Sequence, residues 1–292
     1  MIKTPLSIII QGARIWTPKT TILGEAHKDI ILEPKPSPFE LLFLNGEQGV
    51  WFDPNDLSTL FQDVAGLIPV TGADQPVGLM KDKSGNGYDA SQPTNALRPV
   101  LKHDTDKNAY YLLFNDVGNG SFLTTSAVNL TATNELTVFA ATEKLADVSA
   151  GYILEVSNNF GGSSGVFSLC CGGANGDESY ATAVRGTFTS YGVITKANKP
   201  AFNAPHEAIL SAQFKISTRT NILRINGVQV VSSTGNQGSG NFGNHVFNIG
   251  KRYNSTFAYN GKLYSMAVID RLLNIDTIQK VEKEYIEKMH LK

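Results

Sequence analysis

The stretch Asn221–Val231, "NILRINGVQVV", decides how the rest of the chain is read. Its first residues alternate. Ile222 and Arg224 fall on one side of an extended backbone and Leu223 and Ile225 on the other, because successive side chains of a strand point to opposite faces. Asn226 and Gly227 supply the two positive-φ residues of a tight hairpin turn, and a second strand runs from Gln229 to Ser232. Outward from this hairpin, turn residues interrupt short β-rich runs roughly every eight to fifteen positions. The runs lie around Tyr110–Asn115, Leu136–Thr142, Tyr152–Val156, Gly165–Cys170, Ala181–Thr187, His206–Ile216, His245–Ile249 and Lys262–Asp270. Strands at this spacing with no helices between them predict an all-β sandwich or barrel.

Two segments break the period. "DPNDLSTLFQDVAG" predicts a short helix over 54–64, with Asp53 as N-cap, Pro54 at the first helical position, Asp56 in the first turn, Leu57, Leu60 and Phe61 on one face, and Gly66 as the stop. In "NIDTIQKVEKEYIEKMHLK", Ile278, Val281, Tyr285 and Met289 recur at helical spacing behind Asp276 as cap. This predicts a C-terminal amphipathic helix laid on the sandwich.

Composition narrows the function. The chain has 292 residues, 41% of them hydrophobic, enough for one main domain. Only 17% are charged and the formal net charge is −1, so nothing is built for nucleic acid. Runs such as "LSIII" and "LLFL" fall far short of the roughly 18 residues of a membrane span, and the N-terminus reads as neither signal peptide nor anchor. Cys170 and Cys171 are adjacent, so on a strand they point to opposite faces; both are expected reduced, one buried and one not. Residues 1–48 read as an N-terminal arm and linker. Short runs at Ser7–Ile10, Thr20–Leu23 and Asp29–Leu32, with Trp16 among them, precede the stiff spacer "EPKPSP". These strands either form a separate arm or pair onto an edge of the main sheet. Residues 49–292 form the principal domain.

The stretch "DKSGNGYDA", Asp82–Ala90, imitates the opening of a helical calcium loop, but the twelfth position is Pro93, where that loop needs a bidentate Glu. It reads as a turn in which Gly85 and Gly87 take positive φ while Asp82 and Ser84 bond the local backbone. No cofactor is expected, with calcium at Asp82, Asn86, Asp89 or Asp177 left open. His27, His103, His206, His245 and His290 do not fall at metal spacings. "GGSSG", residues 161–165, reads as a loop rather than a nucleophile elbow. The acid clusters Asp177-Glu178 and Glu282 to Glu287 read as surface charge. Binding residues are sought in four Gly- and Asn-rich loops, 157–165, 170–184, 233–245 and 251–261. There Phe160, Tyr180, Phe242, Tyr253, Phe257 and Tyr259 are candidate rings for stacking on sugars, with Tyr180, Phe242 and Tyr253 foremost. The alternative reading is that the glycines only turn the chain and several of these rings point inward.

"AILSAQFKISTRTNILRINGVQV", then "FNIGKRYNSTFAYNGKLYSMAVIDRLLN", then a terminal helix, resembles the concanavalin A-like, laminin-G-like jelly-roll superfamily. The likeness rests on Asn226-Gly227, Ile249-Gly250, Gly261 and Asp270-Arg271-Leu272, with "DKSGNGYDA" matching a D-x-S-G-N-G turn near the start of such domains. It covers 49–292 and implies a two-sheet β-sandwich. The segment Glu40–Leu101 is similar to parts of tailed-bacteriophage and prophage virion proteins, including tail fibres. That likeness implies a multi-copy or homo-oligomeric virion protein, joined through residues 1–48 to other virion proteins and displaying the sandwich toward a host-surface glycan. Capsid decoration or a connector role is the alternative. Some members of the superfamily cleave polysaccharides with two carboxylates about 5 to 10 Å apart. The Glu-x-Asp-x-(x)-Glu string of the laminarinase branch is missing here, so no enzymatic activity is expected.

Overall fold

A computed structural model describes residues 36–147, 151–172, 179–187, 193–196 (backbone only), 202–253 and 257–289. Residues 1–35, with Trp16 and the three short runs of the arm, lie outside that range, as do Asp177, Glu178 and His290. Among the described residues the alternation read from sequence becomes two antiparallel sheets. The first runs Val228–Ser233, Thr220–Ile225, His206–Lys215, Glu135–Lys144, Gly261–Ile269, Ala109–Phe114, Val100–Asp104, and Gly49–Phe52 also pairs with Gly261–Ile269. The second runs Val193–Lys196, Tyr180–Arg185, Val166–Cys171, Gly151–Val156, Phe247–Ile249, Leu123–Thr125, Ala90–Ser91, Leu79–Met80, Leu60–Phe61. The Asn226-Gly227 turn has φ of 49° and 82°, the positive pair that a tight hairpin needs.

Period-2 alternation gives the first sheet two buried faces. Leu136, Val138 and Ala140 from one strand, Leu210, Ala212 and Phe214 from its neighbour, and Val50 and Phe52 point inward to the second sheet and form the main core. The residues between them, Phe139, Ala141, Ile209, Trp51, Ala267 and Ile269, form a second core on the outer face. Helix α2, Ile275–Met289, covers that face with Ile278, Val281, Tyr285 and Met289. Each such side chain, fully buried, is worth roughly 1.5–3 kcal/mol. Helix α1, Pro38–Leu42, joins it. Ser37 caps α1 and donates from Oγ to Glu284 of α2 at 2.9 Å, while Phe39 stacks on Trp51 at 5.5 Å between ring centroids. The compact unit therefore begins at Pro36, ahead of the Gly49 boundary read from sequence.

Three local readings are corrected. No α-helix covers 54–64: Asp53 opens a side-chain turn to Asn55 N at 3.1 Å, a 3₁₀ turn spans Leu57–Thr59 with Asp56 as its cap, and Leu60–Phe61 goes straight into a strand pairing with Leu79–Met80. Pairing with the sheet outweighs the local helix signals. The α2 cap is Asn274, whose Oδ1 accepts from Thr277 N at 2.9 Å, so Asp276 lies in the first turn. Cys170 and Cys171 are both buried, neither in a disulfide, where one was expected exposed: the outer face of the second sheet is covered where Cys170 emerges.

Candidate functional site

That cover is centred on one residue. In "YILEV" Glu155 is the lone acid of an otherwise apolar and aromatic strand, and it sits on the outer side of the second sheet, paired with Ser168 and Asn248 on the flanking strands. Its carboxylate is out of solvent and is contacted from two segments, by Ser157 on one side and by Arg252 and Tyr253 on the other. Oε1 accepts from Ser157 Oγ at 2.9 Å and from Tyr253 N at 3.1 Å, and Oε2 lies 3.1 Å from Arg252 Nε. A buried carboxylate requires such compensation. Burial pushes the Glu155 carboxyl above its ordinary range, and the Ser157, Arg252 and Tyr253 contacts pull the other way. The Tyr152 phenol is likewise pushed up by burial.

Residues 250–252 pair with 257–259 as the two arms of a hairpin. Lys251 bridges Ala258, Arg252 N donates to Phe257 O at 3.0 Å, and Tyr259 N donates to Gly250 O at 2.8 Å. Gly250 is required at its base: φ is +87° and a Cβ there would lie 2.2 Å from the Phe114 ring. From this hairpin the Arg252 guanidinium reaches over the rings of Tyr152 (5.6 Å) and Phe160 (6.0 Å), and Phe160 also lies under Arg185 (5.8 Å). Arg185 in turn donates to Gly161 O at 3.0 Å and to Ser163 O, fixing the 157–165 loop. The ion pair thus acts as a post that sets both loops. What they present outward is the Tyr253 ring, 44% exposed, the half-buried Phe257 and Arg252, and the exposed side chains of Asn158, Asn159 and Ser164. This is a surface of one accessible ring beside amides, hydroxyls and a guanidinium. Such groups stack on and hydrogen-bond to a polar ring-shaped ligand.

The six rings expected from sequence separate here. Tyr253 and Phe257 stand on this surface, 6.4 Å separating Phe257 from Tyr152 between centroids. Phe160 belongs to the same cluster but is buried beneath the two arginines. Tyr180, Phe242 and Tyr259 are core residues and present no ring face to a ligand. Tyr180 meets His206 Nδ1 and O, each at 3.1 Å; Phe242 packs edge-on to Phe167 at 5.7 Å; the Tyr259 hydroxyl donates to Glu143 O at 2.8 Å. Sequence reading missed Glu155 and Arg252, although an isolated acid inside an apolar strand is a visible signal of a buried pair.

The Asp82–Ala90 stretch is a carboxylate-centred turn. Asp82 accepts from Trp51 N (2.9 Å), Ser84 N (2.9 Å), Ser84 Oγ (2.7 Å) and Tyr88 N (3.1 Å). Asp89 accepts from Asp82 N at 2.9 Å, and Asn86 Nδ2 donates to Glu47 O and Gly49 O. The loop therefore clips the first strand in place. Among the described residues no three His, Cys, Asp or Glu side chains gather in a metal-holding group.

No protein-family model and no curated protein sequence matches the chain. In structure it is similar to a botulinum neurotoxin type C chain whose cell entry depends on two ganglioside molecules, with TM-score 0.55 and 8% identity over 83% of this chain and 52% of that one. It is similar to the binding domain of Paraclostridial Mosquitocidal Protein 1, TM-score 0.54, 13% identity, 71% and 50%. It is also similar to the binding domain of botulinum neurotoxin DC in complex with SialylT, TM-score 0.51, 10% identity, 80% and 52%. The chain spans about half the length of these structures. At such identities the likeness is one of fold, and the chain is a two-sheet β-sandwich of the jelly-roll kind.

Proposed function

We propose that this chain is a non-enzymatic tailed-bacteriophage or prophage virion protein that attaches to a glycan on the host surface. The single observation that carries the attachment reading is the Glu155–Arg252 post with Tyr253 exposed beside it: a charge pair buried to hold a surface loop in one pose serves recognition more than stability. The fold neighbours, one whose cell entry depends on gangliosides and one in complex with SialylT, support a sugar as the ligand class. The virion assignment rests on the similarity of Glu40–Leu101 to phage structural proteins, with residues 1–35 as the part that joins other virion proteins. Two experiments test the reading. Purified protein should bind host cells or isolated surface polysaccharide, and particles lacking it should adsorb poorly; normal adsorption and no binding to a broad glycan panel would remove the attachment role. Deleting residues 1–35 should leave a folded sandwich that is no longer incorporated, and normal incorporation would remove the docking role of the arm.

One observation favours the decoration or connector reading. Val64, Leu67 and Ile68 project from a loop whose shape is fixed by Asp63, which accepts from Leu67 N at 3.0 Å and Ile68 N at 2.8 Å. Leu67 is 79% exposed. A rigid apolar knob of this kind suits burial against a neighbouring virion protein. If particles adsorb normally without the protein, loss of particle stability in a Leu67→Asp, Ile68→Ser variant is the result that this second role requires.

A further inference from the structure

The sheet edges differ in how the chain closes them. At the Val100–Asp104 edge, Asp74 N donates to Leu101 O (2.7 Å), Leu101 N to Gln75 O (2.9 Å) and Val77 N to Pro99 O (2.8 Å), so residues 74–77 take up the outer backbone groups. At the Leu60–Phe61 edge, Val70 N donates to Leu60 O (2.9 Å) and Gln62 N to Ile68 O (2.7 Å). The Val228–Ser233 edge of the helix-covered sheet is different. It pairs with Thr220–Ile225 on one side, and among the described residues it has no paired strand on the other. Its sequence, "VQVVSS", carries no charge and no proline, the usual means of blunting an open edge, and Val228 at its start is 63% exposed. A register shift falls opposite Leu223 and Arg224, after which Val231, Ser232 and Ser233 pair regularly.

We propose that this edge pairs antiparallel with the same edge of a second copy of the chain, so that the two helix-covered sheets continue into one across a two-fold axis. The second copy is chosen over a foreign strand because the edge is complementary to itself. In a register centred between Val230 and Val231, Val230 meets the partner's Val231, and Gln229 meets the partner's Ser232. Apolar faces apolar at the centre, an amide faces a hydroxyl beside it, and no charge meets its own image. The same operation centred on the Val100–Asp104 edge would bring Lys102 against the partner's Lys102, a like-charge pair, on a strand already closed.

Sedimentation of the full chain over a concentration series tests this. The expected result is a mass twice that of the chain, falling to one chain in Gln229→Lys, Ser232→Lys, since both positions are exposed and each lysine at 229 would then face the partner's lysine at 232 across the axis. The melting temperature of the dissociated variant read at low concentration should match that of wild type. Should the double variant misfold, Val228→Lys alone repeats the test by placing a charge at another exposed position of the edge. Amide exchange across Val228–Ser233 should be slow in wild type and fast in the variant. A wild-type monomer throughout the series overturns the proposal, as does a dimer that the lysines leave unchanged.

Discussion

Arg224 and Glu282 meet twice in the seam between sheet and terminal helix, Nε to Oε1 at 2.8 Å and Nη2 to Oε2 at 3.0 Å, with both side chains almost entirely out of solvent. The sequence places Arg224 on the opposite side of its strand from Leu223 and Ile225, and α2 lies over that side. Glu282, expected on a solvated helix face, is thus the helix's one buried charge. Removing one partner strands the other. Glu282→Leu should destabilise the protein by about 3–5 kcal/mol, whereas Arg224→Met together with Glu282→Leu should recover most of that loss. Denaturant titration of the three variants reads the difference directly; equal losses in the single and double variants would show that the pair does not act as a unit.

Asp82 anchors a turn and the first strand together. Four hydrogen bonds converge on its carboxylate, one of them from Trp51 N in the strand itself. Asp82→Ala should therefore cost about 1.5–3 kcal/mol, the range for a hydrogen-bonded charge. Chelator should leave the wild-type melting temperature where it is. A melting temperature that drops in chelator and returns with calcium would mean that the carboxylate holds an ion.

How far the sequence carried depends on how local the deciding interaction is. The Asn226-Gly227 hairpin, the alternation of Leu136 to Ala141 and the period of Ile278, Val281, Tyr285 and Met289 are set by neighbouring residues and turned out as read. The 54–64 segment was misread because its caps imitate a helix, while Leu60 and Phe61 are claimed by a strand whose partner is far along the chain. Tyr180 and Tyr259 lie in Gly- and Asn-rich surroundings that resemble loops, yet each stands where its ring turns inward, and its hydroxyl finds a buried partner only through the fold: His206 for one, Glu143 O for the other. The candidate surface was half legible: Tyr253 and Phe257 came from their loop, while the Glu155–Arg252 pair that poses them joins two segments far apart in sequence.

The same Glu155 gives a pH prediction with a definite sign. Burial raises its pKa in the folded state above the unfolded value of about 4.3, so the folded protein holds that proton more tightly. Its contribution to stability is greatest in acid and falls as pH rises through the folded pKa. Glu155→Gln should match wild type in acid and melt higher at neutral pH. Asp56 and Glu135 run the other way: hydrogen bonds from Lys83 and Lys215 hold them below the ordinary carboxylate range, and their contribution is lost as pH falls. If Glu155→Gln instead becomes progressively less stable than wild type as pH rises, the attraction of Arg252 outweighs the cost of burial.

Exposed and buried rings should respond differently to truncation. Tyr253 is the accessible aromatic at the Glu155–Arg252 post, so Tyr253→Ala should weaken glycan binding by roughly 0.5–1.5 kcal/mol beyond the lost area and leave the melting temperature nearly unchanged. Phe242 is in the core, edge-on to Phe167, and Phe242→Ala should do the reverse: a loss of about 3–5 kcal/mol in stability from the cavity it leaves, with binding by the remaining folded protein intact. Arg252→Lys keeps the charge but not the planar reach over Tyr152 and Phe160, so it should weaken binding while largely preserving the fold. Binding and melting measured on the same three preparations distinguish the two classes. Polysaccharide recovered after incubation should keep its length, since the Glu155 carboxylate is enclosed and already committed to Ser157, Tyr253 and Arg252. Shortened chains would show that catalysis takes place elsewhere on the protein, and binding unmoved by Tyr253→Ala and Arg252→Lys together would show that the ligand sits on another face.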